Sequence, residues 1–303
     1  MIRAIEPGQL PLRDEPTGFG RYRETFVVPP DGVPLFVRHY RADVPEPGRT
    51  LLIVHGMSEH GERYDHIARQ AVARGWNVVV SDLRGHGRSG GIPTHVDDFR
   101  RYVDDLRAVH AHFDLRPETT AMLGHSMGGL LTARLLQRDP DCVSAAVLTS
   151  PLLAVKVEIS PFTIALGKAV SLVYPQTRFR SRVDQAFTTR NIEVLERRAN
   201  DPYIHRSVTA GWYFAMEAAL KAVWAEVSQI RCPLLVLQAG QDRIVDAAVA
   251  EPWLESVGSA VKAFQMYPEH YHELLNEPDW PEIAAGLFDW LDARVTAPSS
   301  SPA

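Results

Sequence analysis

Short apolar runs alternate with longer helical patterns over most of the chain. The runs TLLIV, NVVVS, TAMLG and SAAVLTS have the length and composition of buried strands, and CPLLVLQAG and VKAFQMY resume the series further on. Patterns with a helical period follow most of these runs, at about 62–74, 96–113, 127–137, 247–256 and 280–294. Buried strands that alternate with helices form mostly parallel sheets covered on both faces, so the pattern predicts an α/β fold.

An antiparallel hairpin precedes this series, and a helical segment interrupts it. RYRETFVV and PLFVRHY are strand-like and are joined by the turn residues PPDGV. After SAAVLTSP, residues 152–228 hold helical patterns such as FTIALGKAVSLVY and AGWYFAMEAALKAVW but no good strand. We therefore expect one α/β core from residues 22–151 and 229–294, with 152–228 as an inserted helical cap. Residues 1–21 are expected to form a loose arm and 295–303 a disordered tail.

Composition narrows the class of protein. The chain has 303 residues, 45% of them hydrophobic, with 32 basic and 37 acidic residues and a net charge of −5. That mild balance, without a dense basic stripe, argues against nucleic acid as the main partner. Cys142 and Cys232 stand far apart and match no metal-ligand spacing, which favours two ordinary reduced thiols and no metal site.

The distribution of apolar residues bears on localisation. No apolar run approaches the roughly 20 residues that a membrane span needs, and the first residues contain no apolar stretch of signal-peptide length. We therefore expect a cytoplasmic protein, with transient contact to a membrane surface through the cap as a further option. The sequence does not indicate an oligomeric state.

One serine stands between two glycines at the junction of a predicted strand and a predicted helix. In TAMLGHSMGGLL, Ser126 lies between Gly124 and Gly128, the G-x-S-x-G pattern of a nucleophile elbow. A turn this sharp forces a positive φ at the serine, and side chains two positions away would collide with neighbouring backbone. The alternative is a glycine-rich turn with an incidental serine, but the flanking strand and helix favour a nucleophile.

A serine nucleophile needs a base, and the base needs an orienting acid. In folds with this elbow, the acid and then the histidine follow the serine along the chain. Asp242 follows the strand CPLLVLQAG, and Asp246 is a second candidate, although its place before AAVAEPWL suits a helix N-cap. His270 and His272 both follow the next strand, and spacing alone does not separate them.

The loop after TLLIV is the expected source of the second oxyanion donor. This loop, HGMSEHGERY, contains Gly56, which lets the backbone turn close to the site. The backbone N–H groups of Met57 and Met127 are the candidate oxyanion hole, assisted by the positive end of the helix that follows the serine. We expect His55 to be a structural, hydrogen-bonded histidine.

A second glycine-rich segment has the letters of a dinucleotide-binding fingerprint. SDLRGHGRSGG contains G-x-G-x-x-G at Gly85, Gly87 and Gly90, directly after a predicted strand. That fingerprint must open a helix, whereas GGIPTHV continues here with another glycine and a proline. We therefore expect a tight loop beside the active site, with Asp82 and His86 hydrogen-bonded inside it, and no nucleotide cofactor.

Seven segments occur in the order found in monoacylglycerol lipases and bacterial lysophospholipase-like α/β hydrolases: HGMSEHGERY, SDLRGHGRSGG, GHSMGG, SPLL, DPYIHR, AGQDRIVD and YHELLNEP. The chain resembles this family. The resemblance implies that Ser126 is the nucleophile, Asp242 the acid and His272 the base. It also implies that the N–H groups of Met57 and Met127 form the oxyanion hole.

The resemblance extends over about residues 22–294 and implies an α/β-hydrolase fold in which residues 152–228 form a lid with an acyl tunnel. The implied activity is a serine hydrolase that cleaves carboxylic esters of single-chain lipids through an acyl-enzyme, with no cofactor. A roof over the serine leaves a narrow entrance, which favours lipids with one acyl chain. The candidate gate and lipid contact is the segment SPFTIALGKAVSLVYP, whose apolar residues include Leu166 and Val170.

Other functions remain open on the same fold. A short-chain carboxylesterase, a thioesterase or an aminopeptidase would use the same three side chains. An aminopeptidase needs acidic residues in the lid to hold the substrate amine, but Glu193 and Glu196 lie in RNIEVLERR, which is more typical of a solvated helix face. A non-catalytic binding protein of the same fold has no need of a serine, an acid and a histidine together.

Overall fold

A computed structural model of the chain describes residues 21–44, 48–156, 160–181 and 183–296. The predicted arm and the predicted tail lie outside these residues except at their inner ends. The described strands are β1 (Arg21–Val27), β2 (Leu35–Arg41), β3 (Arg49–Val54), β4 (Trp76–Ser81), β5 (Thr120–His125), β6 (Ala145–Thr149), β7 (Arg178–Arg180), β8 (Ser207–Thr209), β9 (Leu234–Ala239) and β10 (Lys262–Tyr267).

Eight of these strands form one sheet in the order β1-β2-β4-β3-β5-β6-β9-β10. β1 and β2 form the predicted antiparallel hairpin, and β2 also pairs antiparallel with β4. The strands from β4 to β10 in this order run parallel to one another. The carboxyl ends of parallel strands meet at one edge, so the loops after β3, β5, β9 and β10 converge there.

Helices cover both faces of the sheet. The described α-helices are α1 (Asp65–Ala73), α2 (Arg100–His112), α3 (Met127–Arg138), α4 (Pro161–Val173), α5 (Ile192–Ala199), α6 (Ala210–Ala225), α7 (Ala250–Glu255) and α8 (Trp280–Asp292). Successive side chains of a strand point to opposite faces, and on β3 the residues Leu52 and Val54 pack with α2, α3 and α7, whereas Leu51 and Ile53 pack with α1 and α8. The predicted α/β-hydrolase architecture is confirmed.

Residues 152–228, which we call the insert, connect β6 to β9, two strands that are neighbours in the sheet. The insert contains α4, α5 and α6. It also contains β7 and β8, which pair antiparallel with each other, so the expectation of no strand in this segment is wrong. Each of these strands has three residues, which is too short for an alternating pattern to stand out in the sequence.

Some helix boundaries differ from the sequence expectation. The helix expected at 96–113 begins at Arg100, and Val96 and Phe99 are buried in the loop before it. The helix expected from residue 62 begins with the short 3-10 turn Gly61–Tyr64 before α1. In the part of the chain that the structure describes, no helix combines the length and apolar character needed to cross a bilayer.

Candidate active site

Ser126 occupies a strained turn between β5 and α3. Its φ is 52° and its ψ is −117°, which confirms the predicted positive φ. A Cβ on Gly128 would lie 2.0 Å from the carbonyl oxygen of Val54, and one on Gly124 would lie 2.6 Å from the carbonyl oxygen of Gly128. Both glycines are therefore required by close backbone packing, as the elbow pattern predicts.

Asp242 and His272 form a buried pair at the same edge of the sheet. His272 Nδ1 lies 2.6 Å from Asp242 Oδ2. The other carboxylate oxygen of Asp242 accepts hydrogen bonds from the backbone N–H groups of Ile244 at 2.8 Å and Val245 at 3.0 Å. Because an ionised carboxylate is an acceptor only, it fixes Nδ1 as the protonated nitrogen of His272 and leaves Nε2 free to act as a base.

The charges of this pair stabilise each other. Burial alone would raise the pKa of Asp242, but the nearby His272 and the hydrogen bonds to the carboxylate keep it below its usual value. Burial alone would lower the pKa of His272, but the charge of Asp242 and the hydrogen bond to it raise that pKa above its usual value. The carboxylate therefore stays ionised at neutral pH and stabilises the imidazolium that proton abstraction creates.

His270 and Asp246, the alternatives that spacing left open, have other partners in the structure. His270 Nε2 lies 2.8 Å from Asp279 Oδ2, so this ring is engaged away from Asp242. Asp246 accepts a hydrogen bond from the N–H of Ala248 at 3.1 Å, which is the N-cap arrangement that its sequence context suggests.

Ser126 and His272 line the same cavity. Within the described residues, no hydrogen bond joins the Ser126 hydroxyl to the ring. In enzymes without bound substrate such bonds are commonly long and tighten in the substrate complex.

His125, to which the sequence patterns gave no role, packs against the His272 ring with ring centroids 4.8 Å apart. Burial and the charge of His272 lower the pKa of His125 to about 4, so it adds no positive charge at neutral pH.

Two backbone N–H groups close to the serine in the fold have no acceptors among the described residues: Met57 lines the same cavity as Ser126, and Met127 follows it directly. Met127 is the first residue of α3, so its N–H has no partner inside the helix. Among the described residues, neither this N–H nor that of Met57 donates a hydrogen bond. The N–H of Gly56, by contrast, donates to Glu59 Oε1 at 2.5 Å. The two free donors and the positive end of α3 suit a developing oxyanion.

His55 and the glycine-rich loop hold the loop after β3, which contains Met57, in place. The N–H of Leu83 donates to His55 Nε2 at 2.8 Å, so His55 Nδ1 carries the proton and donates to the Gly56 carbonyl at 2.7 Å. His55 is thus the expected structural histidine. Asp82 accepts from two backbone N–H groups, and His86 Nε2 lies 3.3 Å from Met57 Sδ. The prediction of a tight loop beside the site is confirmed.

A set of buried ion pairs lies at the wall of the cavity that contains Ser126 and His272, and it was not predicted from the sequence. Arg63 pairs with Glu59 at 2.6 Å and with Glu273 at 2.6 Å, and Arg198 on α5 pairs with Glu273 at 2.5 Å. Burial alone would raise the pKa of Glu59, but Arg63 holds it at about 2. These four residues, the buried ion-pair chain, connect the loop after β3, the loop that follows β10 and the insert.

Two cavities meet at the serine. One, which we call the apolar cavity, has a volume of about 400 Å³. It lies mainly between apolar residues of α4, α6 and the chain after β6, including Leu152, Ile164, Trp212 and Met216. The other, which we call the polar cavity, has a volume of about 520 Å³ and a polar wall that includes His272, Arg198 and Arg206. Six residues line both cavities: Met57, Ser126, Arg180, Ser181, Val183 and Ile244.

A mostly parallel sheet with a strained serine after β5, and an acid–histidine pair at the same edge, define the class of serine hydrolases with the α/β-hydrolase fold. Residues 45–279 match the family described as serine aminopeptidase, S33, and the chain belongs to this family. It is a carboxylic ester hydrolase, and its resemblance to monoacylglycerol lipases and lysophospholipase-like hydrolases is confirmed.

Individual relatives agree with this assignment. Phospholipase YtpA of Bacillus subtilis is 30% identical over 262 residues, which cover 84% of this chain and 99% of the relative. A monoacylglycerol lipase of Mycolicibacterium smegmatis is 30% identical over 253 residues, covering 82% of this chain and 90% of the relative. The crystal structure of Paleococcus ferrophilus monoacylglycerol lipase superposes with a TM-score of 0.78 at 25% identity, covering 85% of this chain and 98% of that one.

Proposed function

We propose that this enzyme hydrolyses the carboxylic ester of single-chain lipids, monoacylglycerols or lysophospholipids, through an acyl-enzyme on Ser126. The observation that carries the proposal is the apolar cavity of about 400 Å³ that begins at Ser126 and extends between α4 and α6. An acyl chain in this cavity brings its ester carbonyl to the serine and its alcohol group to the polar cavity. The names of the two relatives, a phospholipase and a monoacylglycerol lipase, point to lipid esters as well.

In the proposed mechanism, His272 Nε2 takes the proton of Ser126 as the hydroxyl attacks the ester carbonyl. The N–H groups of Met57 and Met127 stabilise the negative charge that develops on the carbonyl oxygen. His272 then gives its proton to the leaving alcohol. Water, activated by His272, releases the fatty acid in a second cycle of the same steps. Asp242 orients His272 and stabilises its charged form throughout.

Residues 152–228 are proposed to act as a lid on the core formed by 22–151 and 229–294. On α4, Ile164 lines the apolar cavity, whereas Leu166 is 57% exposed and Leu172 is 81% exposed. A helix with one apolar side toward the tunnel and further apolar residues in solvent is suited to lie on a lipid surface and to admit a chain from it.

The roofed site is proposed to select lipids with one acyl chain. Each methylene moved from water into the cavity contributes about 0.8 kcal/mol, so affinity is expected to grow with acyl length until the cavity is filled. A triacylglycerol has to leave two chains outside or displace the insert. Comparable rates on mono-, di- and triacylglycerols in the same detergent, or rates that fall steadily from the shortest ester upward, would contradict this model.

An aminopeptidase activity is less well supported by the same site. A free amine needs an unpaired carboxylate near the serine. Of the described acids that line the polar cavity, Glu59 and Glu273 are already paired with arginines. Glu193 and Glu196 are exposed on α5 and are absent from the walls of both cavities. Only Asp184 remains.

The test is a hydrolysis panel with matched variants. Monoacylglycerols, lysophospholipids, p-nitrophenyl esters, thioesters and aminoacyl amides are offered to the wild type and to Ser126→Ala, which also controls for contaminating esterase. Asp242→Asn is compared with Asp246→Asn, because Asp246 is a nearby acidic residue that caps a helix. We expect long-chain monoesters to be the best substrates, Ser126→Ala to lose turnover on the order of a million-fold, and Asp246→Asn to remain active. Failure of a fluorophosphonate to label the wild type would indicate a binding protein.

A further inference from the structure

We propose that the polar cavity selects substrates whose head group carries a phosphate, and that Arg180 and Arg206 bind this anion. The inference rests on the proposed function, because it assigns the head group of the lipid whose ester Ser126 attacks. It distinguishes lysophospholipids from monoacylglycerols, which the fold and the apolar cavity alone do not.

The charges of the polar cavity are unevenly paired. On its inner wall, the carboxylates of Glu59 and Glu273 are matched by Arg63 and Arg198 at distances of 2.5–2.6 Å. These buried pairs cancel one another and leave little net charge there. His205 also lines the cavity, but burial lowers its pKa, so it is neutral at neutral pH.

The outer wall, in contrast, has an excess of positive charge. Arg180 and Arg206 line the cavity there, together with the single carboxylate of Asp184. In the described part of the chain, neither arginine forms an ion pair, and Arg206 donates one long hydrogen bond, 3.4 Å, to the carbonyl oxygen of Ala199. Two guanidinium groups with unused donors are therefore available to an anionic ligand.

The small sheet of the insert places these two arginines beside each other. Arg180 is the last residue of β7 and is paired with Ser207, the first residue of β8. The N–H of Ser181 donates to the carbonyl oxygen of Arg206 at 2.9 Å, which joins the two chain segments directly after the pair. Backbone pairing thus brings the two arginines to adjacent positions at the cavity wall.

The position of Arg180 matches the geometry of a lysophospholipid. Arg180 lines both cavities, as Ser126 does, so it stands where the acyl chain ends and the head group begins. In a lysophospholipid the phosphate follows the scissile ester after a three-carbon glycerol. Arginine binds phosphate oxygens with two parallel charge-assisted hydrogen bonds, which suits a head group held at this boundary.

A second observation shows an unsatisfied hydrogen-bond donor at the same cavity. Arg198 is 6% exposed and lines the cavity, and its Nε has no hydrogen-bond partner among the described residues. A buried guanidinium with an unused donor is stabilised by a hydrogen-bond acceptor that reaches it. A phosphate held by the two outer arginines offers several charged acceptor oxygens, which form stronger hydrogen bonds than the hydroxyl oxygens of an uncharged glycerol.

The experiment compares two esters that differ only in the phosphate. Monolauroylglycerol and monolauroylglycerol phosphate are presented in the same neutral detergent to the wild type, Arg180→Gln and Arg206→Gln. The matched control is Arg178→Gln, which changes an exposed arginine on the same strand that does not line the cavity. The kcat/KM of both esters is measured, and glycerol phosphate is tested as a competitive inhibitor.

We expect the wild type to prefer the phosphate ester. Arg180→Gln and Arg206→Gln should each lower kcat/KM for that ester by about 10- to 100-fold, the usual effect of losing a hydrogen bond to a charged group. Their kcat/KM for monolauroylglycerol should stay close to that of the wild type. Arg178→Gln should resemble the wild type on both esters. Inhibition by glycerol phosphate should weaken in the same two variants.

Three results would overturn the inference. Equal losses on both esters would show that the arginines only position the insert. Unchanged kinetics on both esters would show that they do not contact the head group. Unchanged kinetics of the two variants in detergent, together with weaker binding of the variants to anionic vesicles, would show that the arginines contact phosphates of a membrane surface instead. Failure of the proposed function would be distinct, because the wild type would then hydrolyse neither ester.

Discussion

Replacing Gly128 with alanine tests how closely the turn at Ser126 is coupled to the loop after β3, which contains Met57. The new Cβ would lie 2.0 Å from the Val54 carbonyl oxygen and 2.6 Å from the His55 carbonyl oxygen. Ordinary contact begins near 3.4 Å, so one of the two backbones must move by about an ångström. Val54 ends β3, and Met57, whose N–H is a proposed oxyanion donor, follows three residues later.

The expected loss is large because this movement displaces the proposed oxyanion donor. Removing one such donor lowers turnover by about 10²- to 10³-fold, and a misplacement of about 1 Å near the reacting atoms costs about 10²-fold. We therefore expect Gly128→Ala to lower kcat by at least about 10²-fold. Overpacking of this kind also costs about 1–3 kcal/mol in the free energy of unfolding, which the domain can lose without unfolding.

The assay measures kcat on a soluble p-nitrophenyl ester, with the active fraction counted by fluorophosphonate labelling and stability measured by urea unfolding. Gly286→Ala is the matched control, since a Cβ at this position in α8 meets no atom within 4 Å. That variant should keep its kcat and gain about 0.5–1 kcal/mol, because alanine is the better helix former. A Gly128→Ala enzyme with wild-type kcat would refute the proposed coupling.

The other predictions concern the base, its pKa and the insert. His272→Ala should be as damaging as removal of the serine, on the order of a million-fold in turnover, whereas His270→Ala should cost little; the reverse order would reassign the base. Because the base must be neutral and Asp242 raises the pKa of His272, turnover should rise with pH through a midpoint above about 6.5. Asp242→Asn should move that midpoint lower and reduce kcat about 10⁴-fold; an unmoved midpoint would contradict the pairing. Leu166→Asp with Leu172→Asp should weaken liposome binding and long-chain hydrolysis but spare soluble esters; equal losses with a lower melting temperature would indicate packing instead.

Local sequence patterns predicted the parts of this molecule that depend on local chemistry. The buried strands and the flanked G-x-S-x-G stretch are contiguous, so their periodicity and turn residues can be recognised without knowing the fold. The strain at Ser126 follows from the same local geometry. For this reason the sheet, the hairpin and the crowding around Gly124 and Gly128 could be predicted from the residues alone.

Features that depend on distant partners could not be predicted in this way. Spacing does not indicate that His272 and not His270 contacts Asp242, because Asp242 lies on another loop. The pairing of Arg63 with Glu273 spans 210 positions in sequence, and no spacing rule reports it. The family resemblance indicated His272, since it depends on a whole ordered set of motifs and not on one local pattern.

The buried ion-pair chain limits how freely the insert can be exchanged between related enzymes. Arg198 belongs to the insert, but its partner Glu273 belongs to the core and lies beside His272. A transplanted insert without a cation at this place would leave a buried carboxylate short of one partner, and breaking a buried pair costs about 3–5 kcal/mol. A chimeric enzyme that combines the core of this protein with the insert of a relative should therefore keep an arginine at the position of Arg198.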